Sequence, residues 1–180
     1  EYSMYTLEQR AIPSAIDGLK NVQRKILYAM INEHGGKKVK LNDLGSISKF
    51  NYHHGEVSAI SAAVGMSQDW SNNAPLFVGH GSFGSRMIQE AAAPRYIYAS
   101  LSEHYKKFFC DLEVAPKSLD EENPEPAFYL PIIPWVLVNG IEGISVGFKC
   151  SILPRSPKDL IAAVRDYIKS PKRFLEVCDD

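Results

Sequence analysis

The stretch DGLKNVQRKILYAM, residues Asp17 to Met30, carries two patterns at once. Leu19, Val22, Ile26, Ala29 and Met30 recur at helical spacing, which predicts an amphipathic helix with a core-facing stripe. Asp17 stands ahead of the stripe as its expected N-cap. Lys20 and Arg24, one turn apart, project together from a different face. Gly35 and Gly36 end this helix, and Leu41, Leu44 and Ile47 suggest a second, shorter one. A third is expected from Gly55 to about Gln68, rich in Ala and Ser and so able to pack closely. Three short helices with brief connections predict a helix-turn-helix arrangement.

The texture then changes. Pro75 to Val78 reads as a strand, and the run Gly79-His80-Gly81-Ser82-Phe83-Gly84-Ser85 as a glycine-rich turn region, together resembling the wing of a winged helix. Pro94 biases Ala93 toward extended backbone, so Arg95 and Tyr96 are expected on a loop or a helix start. Leu101, Tyr105 and Phe108 suggest a helix, and the acidic stretch Asp120 to Glu125, with Pro124 and Pro126, a surface loop. Leu130 to Val138 and Ile144 to Phe148 look strand-like, with Asn139-Gly140 as the turn between them. Pro157 to Ile168 reads as a final amphipathic helix.

Composition is that of a globular protein: 180 residues, 45% hydrophobic and 23% charged. The net charge of -1 conceals a segregation. Residues 10–50 hold eight basic and three acidic side chains, a local +5, whereas residues 111–125 hold one basic and six acidic, a local -5. A polyanion prefers the first region. The three cysteines, Cys110, Cys150 and Cys178, are widely spaced and form no C-x-x-C pair, which argues against a zinc site or a disulfide framework. The most apolar run, Phe128 to Val138, is broken by Pro131 and Pro134 and is far shorter than the roughly 20 residues that span a bilayer, so no membrane partner is expected. The chain opens without methionine in what reads as the middle of a helix, and is expected to be an excerpt of a longer one.

Two groups of residues carry candidate chemistry. His53-His54-Gly55-Glu56 stands where the third helix begins, a place whose free N–H groups and positive dipole end suit a phosphate; a metal site and a purely structural pair are the competing readings. In Ala93-Pro94-Arg95-Tyr96-Ile97-Tyr98 an arginine adjoins a tyrosine, and a guanidinium there would stabilise both phenolate and phosphate charge. A phenol attacking phosphorus gives an ester close in energy to the one broken, so cleavage would be reversible. Taken by themselves, the residues imply a DNA-binding winged helix and no more.

A resemblance adds the rest. The motifs Arg10-Ala11-Ile12-Pro13-Ser14, Asp17-Gly18-Leu19-Lys20, Gln23-Arg24-Lys25-Ile26-Leu27-Tyr28, Tyr52-His53-His54-Gly55-Glu56, Phe83-Gly84-Ser85-Arg86, Arg95-Tyr96-Ile97-Tyr98, and Tyr129-Leu130-Pro131 through Val146-Gly147 occur in the order found in type IIA DNA topoisomerases. The chain resembles the breakage-reunion core of that family over nearly its whole length, with motif forms closer to T-even phage and eukaryotic members than to bacterial gyrase.

The resemblance implies an α+β fold: a winged-helix DNA-cleavage domain over residues 1–131, then over 132–180 the beginning of an α/β tower domain. It implies that Tyr96 is the nucleophile forming a transient 5′-phosphotyrosyl bond, with Arg95 and Arg24 clamping the scissile phosphate and His54 bonding near it. Lys20, Lys25, His53 and Arg86 would contact DNA, and Ile144 would insert between base pairs. Magnesium and ATP would be bound by other domains or subunits, since the sequence shows neither an Asp-x-Asp cluster nor a phosphate-cradling glycine loop. Expected partners are double-stranded DNA, a large subunit or domain bearing TOPRIM and ATPase modules, and a second copy of this core. The expected location is cytoplasmic, in a bacterial host if the source is a phage, or nuclear if it is eukaryotic. Departures from the family pattern are Asn21 after Lys20, His80 in place of Gln or Asn, Pro94 before Arg95, and Lys149-Cys150. The alternatives are a non-catalytic winged-helix DNA-binding module and a degenerate homologue kept as a scaffold.

Overall fold

In a computed structural model of the chain, residues 10–46, 55–118, 123–145 and 147–170 are described. Helix α1 runs Asn21–Asn32, and it begins at Lys20 rather than at Asp17. Gln23, three residues into the helix, turns its Oε1 back to accept the Lys20 N–H at 2.9 Å and so satisfies one donor at the helix start. Asp17 is fully buried and takes another role, set out below. The helix stops as expected at Gly35 and Gly36, both at positive φ, where the Gly36 N–H reaches back to Met30 O at 2.8 Å.

Strand β1 (Val39–Lys40) leads directly into helix α2 (Leu41–Gly45), and α3 (Glu56–Ser67) follows. Gly45 has no Cβ for a packing reason: one there would collide with Ile60 of α3. The Ala-rich face expected of α3 is what α2 and the sheet meet, with Ala59 and Ala63 wholly buried. Strands β2 (Phe77–His80) and β3 (Tyr98–Leu101) complete an antiparallel sheet in the order β1-β3-β2. The register sets Phe77 against Leu101, His80 against Tyr98 and Val39 against Ala99. The strand expected at Pro75 to Val78 lies two residues later, because Pro75 cannot donate to a ladder and Phe77 is the first residue with a partner.

Helix α4 (Glu103–Phe108) is capped by Ser102, whose Oγ accepts the Tyr105 N–H at 3.3 Å and donates to Pro75 O at 2.7 Å. It delivers Tyr105 and Phe109 to an aromatic cluster: Phe109 stacks on Tyr105 at 5.3 Å and meets Trp135 edge-on at 5.0 Å.

Two expectations fail in the next segment. The run from Leu130 to Val138 is not a strand. Once Pro134 has ended the preceding extended stretch, residues Trp135–Asn139 form helix α5, whose apolar side chains Trp135 and Val138 fall on the core side. Nor is Asn139-Gly140 a hairpin turn. Gly140, at φ 67, is the left-handed residue that ends α5, and the hairpin proper is β4 (Ile141–Ser145) with β5 (Phe148–Ile152). Short apolar runs are ambiguous between helix and strand, and here the packing of Trp135 against Phe108 and Phe109 decides the matter. Helix α6 (Pro157–Lys169) closes the described chain much as expected. Ile133, Trp135 and Val138 share one core with Leu27, Phe77 and Ile97, so burial is continuous across the expected boundary at Pro131.

Candidate active site

Tyr96 is held at the surface by a chain pinned on both sides. The loop leaving β2 is closed by the Ala92 N–H donating to Ser82 O at 2.9 Å, and Pro94–Tyr96 form one 3-10 turn, with the Tyr96 N–H on Ala93 O at 2.9 Å. Pro94 suits the first position of that turn, where no N–H is needed and its φ is already fixed. Directly afterwards Ile97 drops into the core at 1% exposure, and its carbonyl accepts the Leu41 N–H at 3.1 Å. Gly81 makes the space for it, since a Cβ at that position would stand 2.8 Å from Ile97 Cγ2. With Ile97 anchored, the preceding ring stays outside: Tyr96 is 69% exposed.

The Arg95 guanidinium lies 5.1 Å from the centre of the Tyr96 ring. This is cation–π distance, and it brings a permanent positive charge with several N–H donors to the side chain that an incoming phosphate would meet. Other described tyrosines differ in kind. Tyr105 and Tyr129 are buried, and burial pushes the Tyr105 phenol up to about 12 and the Tyr129 phenol upward as well. Both stay protonated and out of reach of a nucleic acid. Tyr98 is half-buried in β3, with Lys38 Nζ 4.9 Å from its ring centre.

The remaining expected site residues divide into four groups. Arg86 and Ile144 are exposed as a DNA contact requires. Arg86 rides on a tight loop in which the Ser85 N–H donates to Ile88 O at 2.7 Å. Ile144 is 68% exposed but sits within β4, opposite Lys149, and not on a turn. Lys20 is half-buried at the start of α1. His53 and His54 lie outside the described residues.

Arg24 and Lys25 form the fourth group, and each is held in an ion pair behind the surface. Arg24 Nε donates to Asp17 Oδ2 at 2.9 Å, while its Nη2 donates to Asp17 Oδ1 and Leu19 O, both at 3.2 Å. Its side chain is only 11% exposed. Lys25 Nζ is buried against Glu125 Oε1 at 2.6 Å and Asn123 Oδ1 at 2.7 Å. A phosphate clamp or backbone contact needs a cation that can be reached, and both of these are committed to carboxylates behind the surface. Glu125, expected on a surface loop, is 4% exposed for the same reason. Lys38 and Lys40, in the basic run Lys37-Lys38-Val39-Lys40 of the positive segment, are exposed on and beside β1, next to the strand that follows Tyr96.

Among the described residues no three His, Cys, Asp or Glu side chains converge as metal ligands. No described helix is long and apolar enough to cross a membrane.

With this geometry in view, the family model for the A subunits of DNA gyrase and topoisomerase IV matches residues 10–179. The chain belongs to that family. The T4 phage DNA topoisomerase medium subunit is 45% identical over 175 residues, 95% of this chain and 40% of the relative. Human DNA topoisomerase 2-alpha is 36% identical over 174 residues, 87% of this chain and 11% of the relative. The crystal structure of the Plasmodium falciparum topoisomerase II DNA-binding, cleavage and re-ligation domain superposes with a TM-score of 0.86 at 34% identity, covering 93% of this chain and 24% of that one. The chain therefore spans less than half the length of these relatives. Its α+β architecture matches that of a topoisomerase II DNA-binding, cleavage and re-ligation domain.

Proposed function

We propose that this chain cleaves and religates double-stranded DNA through a transient 5′-phosphotyrosyl bond at Tyr96, as the core of a type IIA topoisomerase. The observation that carries the proposal is the pairing of an exposed, anchored Tyr96 with the Arg95 guanidinium over its ring. The phenol oxygen attacks phosphorus and releases its proton to the surroundings, the P–O3′ bond breaks, and the 3′ oxygen leaves as a hydroxyl with a proton taken up in return. Religation reverses each change. Arg95 orients the phosphate and offsets its charge. Arg24 and Lys25 act from behind, holding α1 to the 123–129 segment. Ile144 enters a base step and bends the duplex, a wedge of the kind that trades unstacking for wider contact. Residues 132–170 open the tower domain in this reading.

Magnesium would stabilise the leaving oxygen and ATP would drive strand passage; both are assigned to TOPRIM and ATPase modules on other domains or a large subunit, with two copies of this core. The location follows the source, bacterial cytoplasm for a phage protein or nucleus for a eukaryotic one. The test is reconstitution. The 180-residue chain alone should bind DNA without nicking it, and a TOPRIM-bearing partner with magnesium should restore cleavage. Metal-dependent nicking by the purified chain alone would contradict the assignment of the metal.

A further inference from the structure

The base of the hairpin that carries Ile144 is joined to the segment before β2 through two asparagine side chains, while Gly143 beside Ile144 rests on the 11–13 segment. Asn139, the last residue of α5, addresses both polar groups of one backbone residue. Its Oδ1 accepts the Ala74 N–H at 2.8 Å, and its Nδ2 donates to Ala74 O at 2.9 Å. A carboxamide presents an acceptor and a donor on two adjacent atoms and so meets both groups at once. Asn73 answers in the opposite direction. Its Nδ2 donates to Val138 O at 3.0 Å and to Arg155 O at 3.1 Å. Val138 precedes the β4–β5 hairpin and Arg155 follows it, so one amide group ties its two legs. Arg155 N–H closes the same junction on Leu137 O at 2.7 Å.

This junction has a direction. Ala74 stands three residues before β2, β2 pairs with β3, and β3 begins two residues after Tyr96. On the other side Gly140 leaves α5 at φ 67 and leads at once into Ile141, paired with Ile152 at the hairpin base. Gly140 has no room to adjust, because a Cβ there would lie 2.5 Å from Ile152 O. The path from nucleophile to wedge is thus sheet, asparagine pair, hairpin. Ile144 lies three residues beyond the base, about 10 Å at strand rise. Over such a lever a ten-degree swing at the base moves the tip by about 2 Å, more than half the separation of stacked bases.

We infer that Asn73 and Asn139 are positioning residues that aim Ile144 at the DNA relative to Tyr96. The inference rests on the wedge reading of Ile144. Neither asparagine touches the substrate; each acts by fixing the angle of the hairpin against β2.

The experiment uses the full-length chain assembled with its partner domains, magnesium and a doubly labelled duplex. Bending is read by energy transfer and covalent cleavage by denaturant trapping. Two substrates are compared, one fully paired and one already kinked by an unpaired bulge at the step that Ile144 enters. Asn139→Leu keeps the branched four-atom shape of the side chain and removes both bonds. It is expected to lower bending and to cut cleavage of the paired duplex about ten-fold or more, the scale expected from an ångström-sized misplacement. On the kinked duplex cleavage should return to near the wild-type level. Asn73→Ala, which loses only the Val138 and Arg155 bonds, should show a smaller loss with the same rescue, and it carries the test if Asn139→Leu does not fold. Equal loss on both duplexes would reduce the pair to a structural role and overturn the inference. Wild-type bending by both asparagine variants, with bending lost in Ile144→Ala, would overturn the inference and leave the wedge intact. Wild-type bending by Ile144→Ala would remove the wedge and the aiming device with it.

Discussion

Asp17 and Arg24 form a two-pronged ion pair beneath the surface, Nε to Oδ2 at 2.9 Å and Nη2 to Oδ1 at 3.2 Å. The same carboxylate accepts the Leu19 N–H and, from 112 residues away, the Tyr129 N–H, each at 3.0 Å. One buried anion therefore ties the entry to α1, the helix itself and the segment leading to α5. Removing one member of such a pair leaves the other charged and unsatisfied, at a cost of about 3–5 kcal/mol. Asp17→Ala should lower unfolding free energy on that scale in denaturant titration. Arg24→Gln should lose cleavage only in proportion to its loss of folded protein. Full stability with abolished cleavage would return Arg24 to the phosphate.

Lys25 gives a second way to separate a buried cation from a DNA contact. Each phosphate contact contributes about one to the slope of log affinity against log salt. Lys25→Met, tested on folded protein, should leave that slope unchanged, because its ammonium is spent on Glu125 and Asn123. Lys38→Ala and Lys40→Ala should each lower it. A reduced slope for Lys25→Met would place that side chain on the DNA.

The difference between these lysines shows what was legible in the sequence. The stripe in α1, the helices α3 and α6, the turn at Arg95-Tyr96 and the break at Gly35-Gly36 all followed from local rules. The partner of a charge does not: Asp17 looks like an N-cap until Tyr129 is folded onto it, and Glu125 looks solvated until Lys25 arrives from 100 residues away. The α5 segment failed for a related reason. Its apolar residues fit either period, and the deciding contacts of Trp135 with Phe108 and Phe109 are tertiary. Ile144, read as the start of a strand, lies inside β4 instead, and it is exposed because Gly143 faces inward and alternation turns its neighbour out.

Gly143 packs so closely on the 11–13 segment that a Cβ would stand 2.6 Å from Ala11 O. Both groups are backbone-bound, so neither can move without displacing its segment. Gly143→Ala should lift the hairpin and reduce bending and cleavage together, with binding within about three-fold of wild type because phosphate contacts dominate affinity. Undiminished bending of labelled DNA by this variant would show that the hairpin is not seated as described.

Alkaline pH should weaken the fold through Tyr105 and Tyr129. Burial raises both phenols above the ordinary value of 10, Tyr105 to about 12. The unfolded chain therefore releases these protons first. The stability they confer is fully present below pH 10 and is lost as pH rises from 10 toward 12. Tyr129→Phe should flatten that decline. At neutral pH it should be neutral or stabilising, since the Tyr129 hydroxyl is buried without a hydrogen-bond partner. Melting temperatures of both proteins from pH 7 to 11 provide the check, and parallel curves would count against it.

The central claim is that Tyr96 is the attacking group. Tyr96→Phe keeps the ring, the 3-10 turn and the Ile97 anchor and removes a single oxygen, so folding and DNA affinity should match wild type. The decisive measurement is denaturant trapping of protein on end-labelled DNA, with magnesium and the cognate domains, for wild type, Tyr96→Phe and Tyr98→Phe. The account predicts covalent complex for wild type and Tyr98→Phe and none for Tyr96→Phe. Persistent trapping by Tyr96→Phe would contradict it.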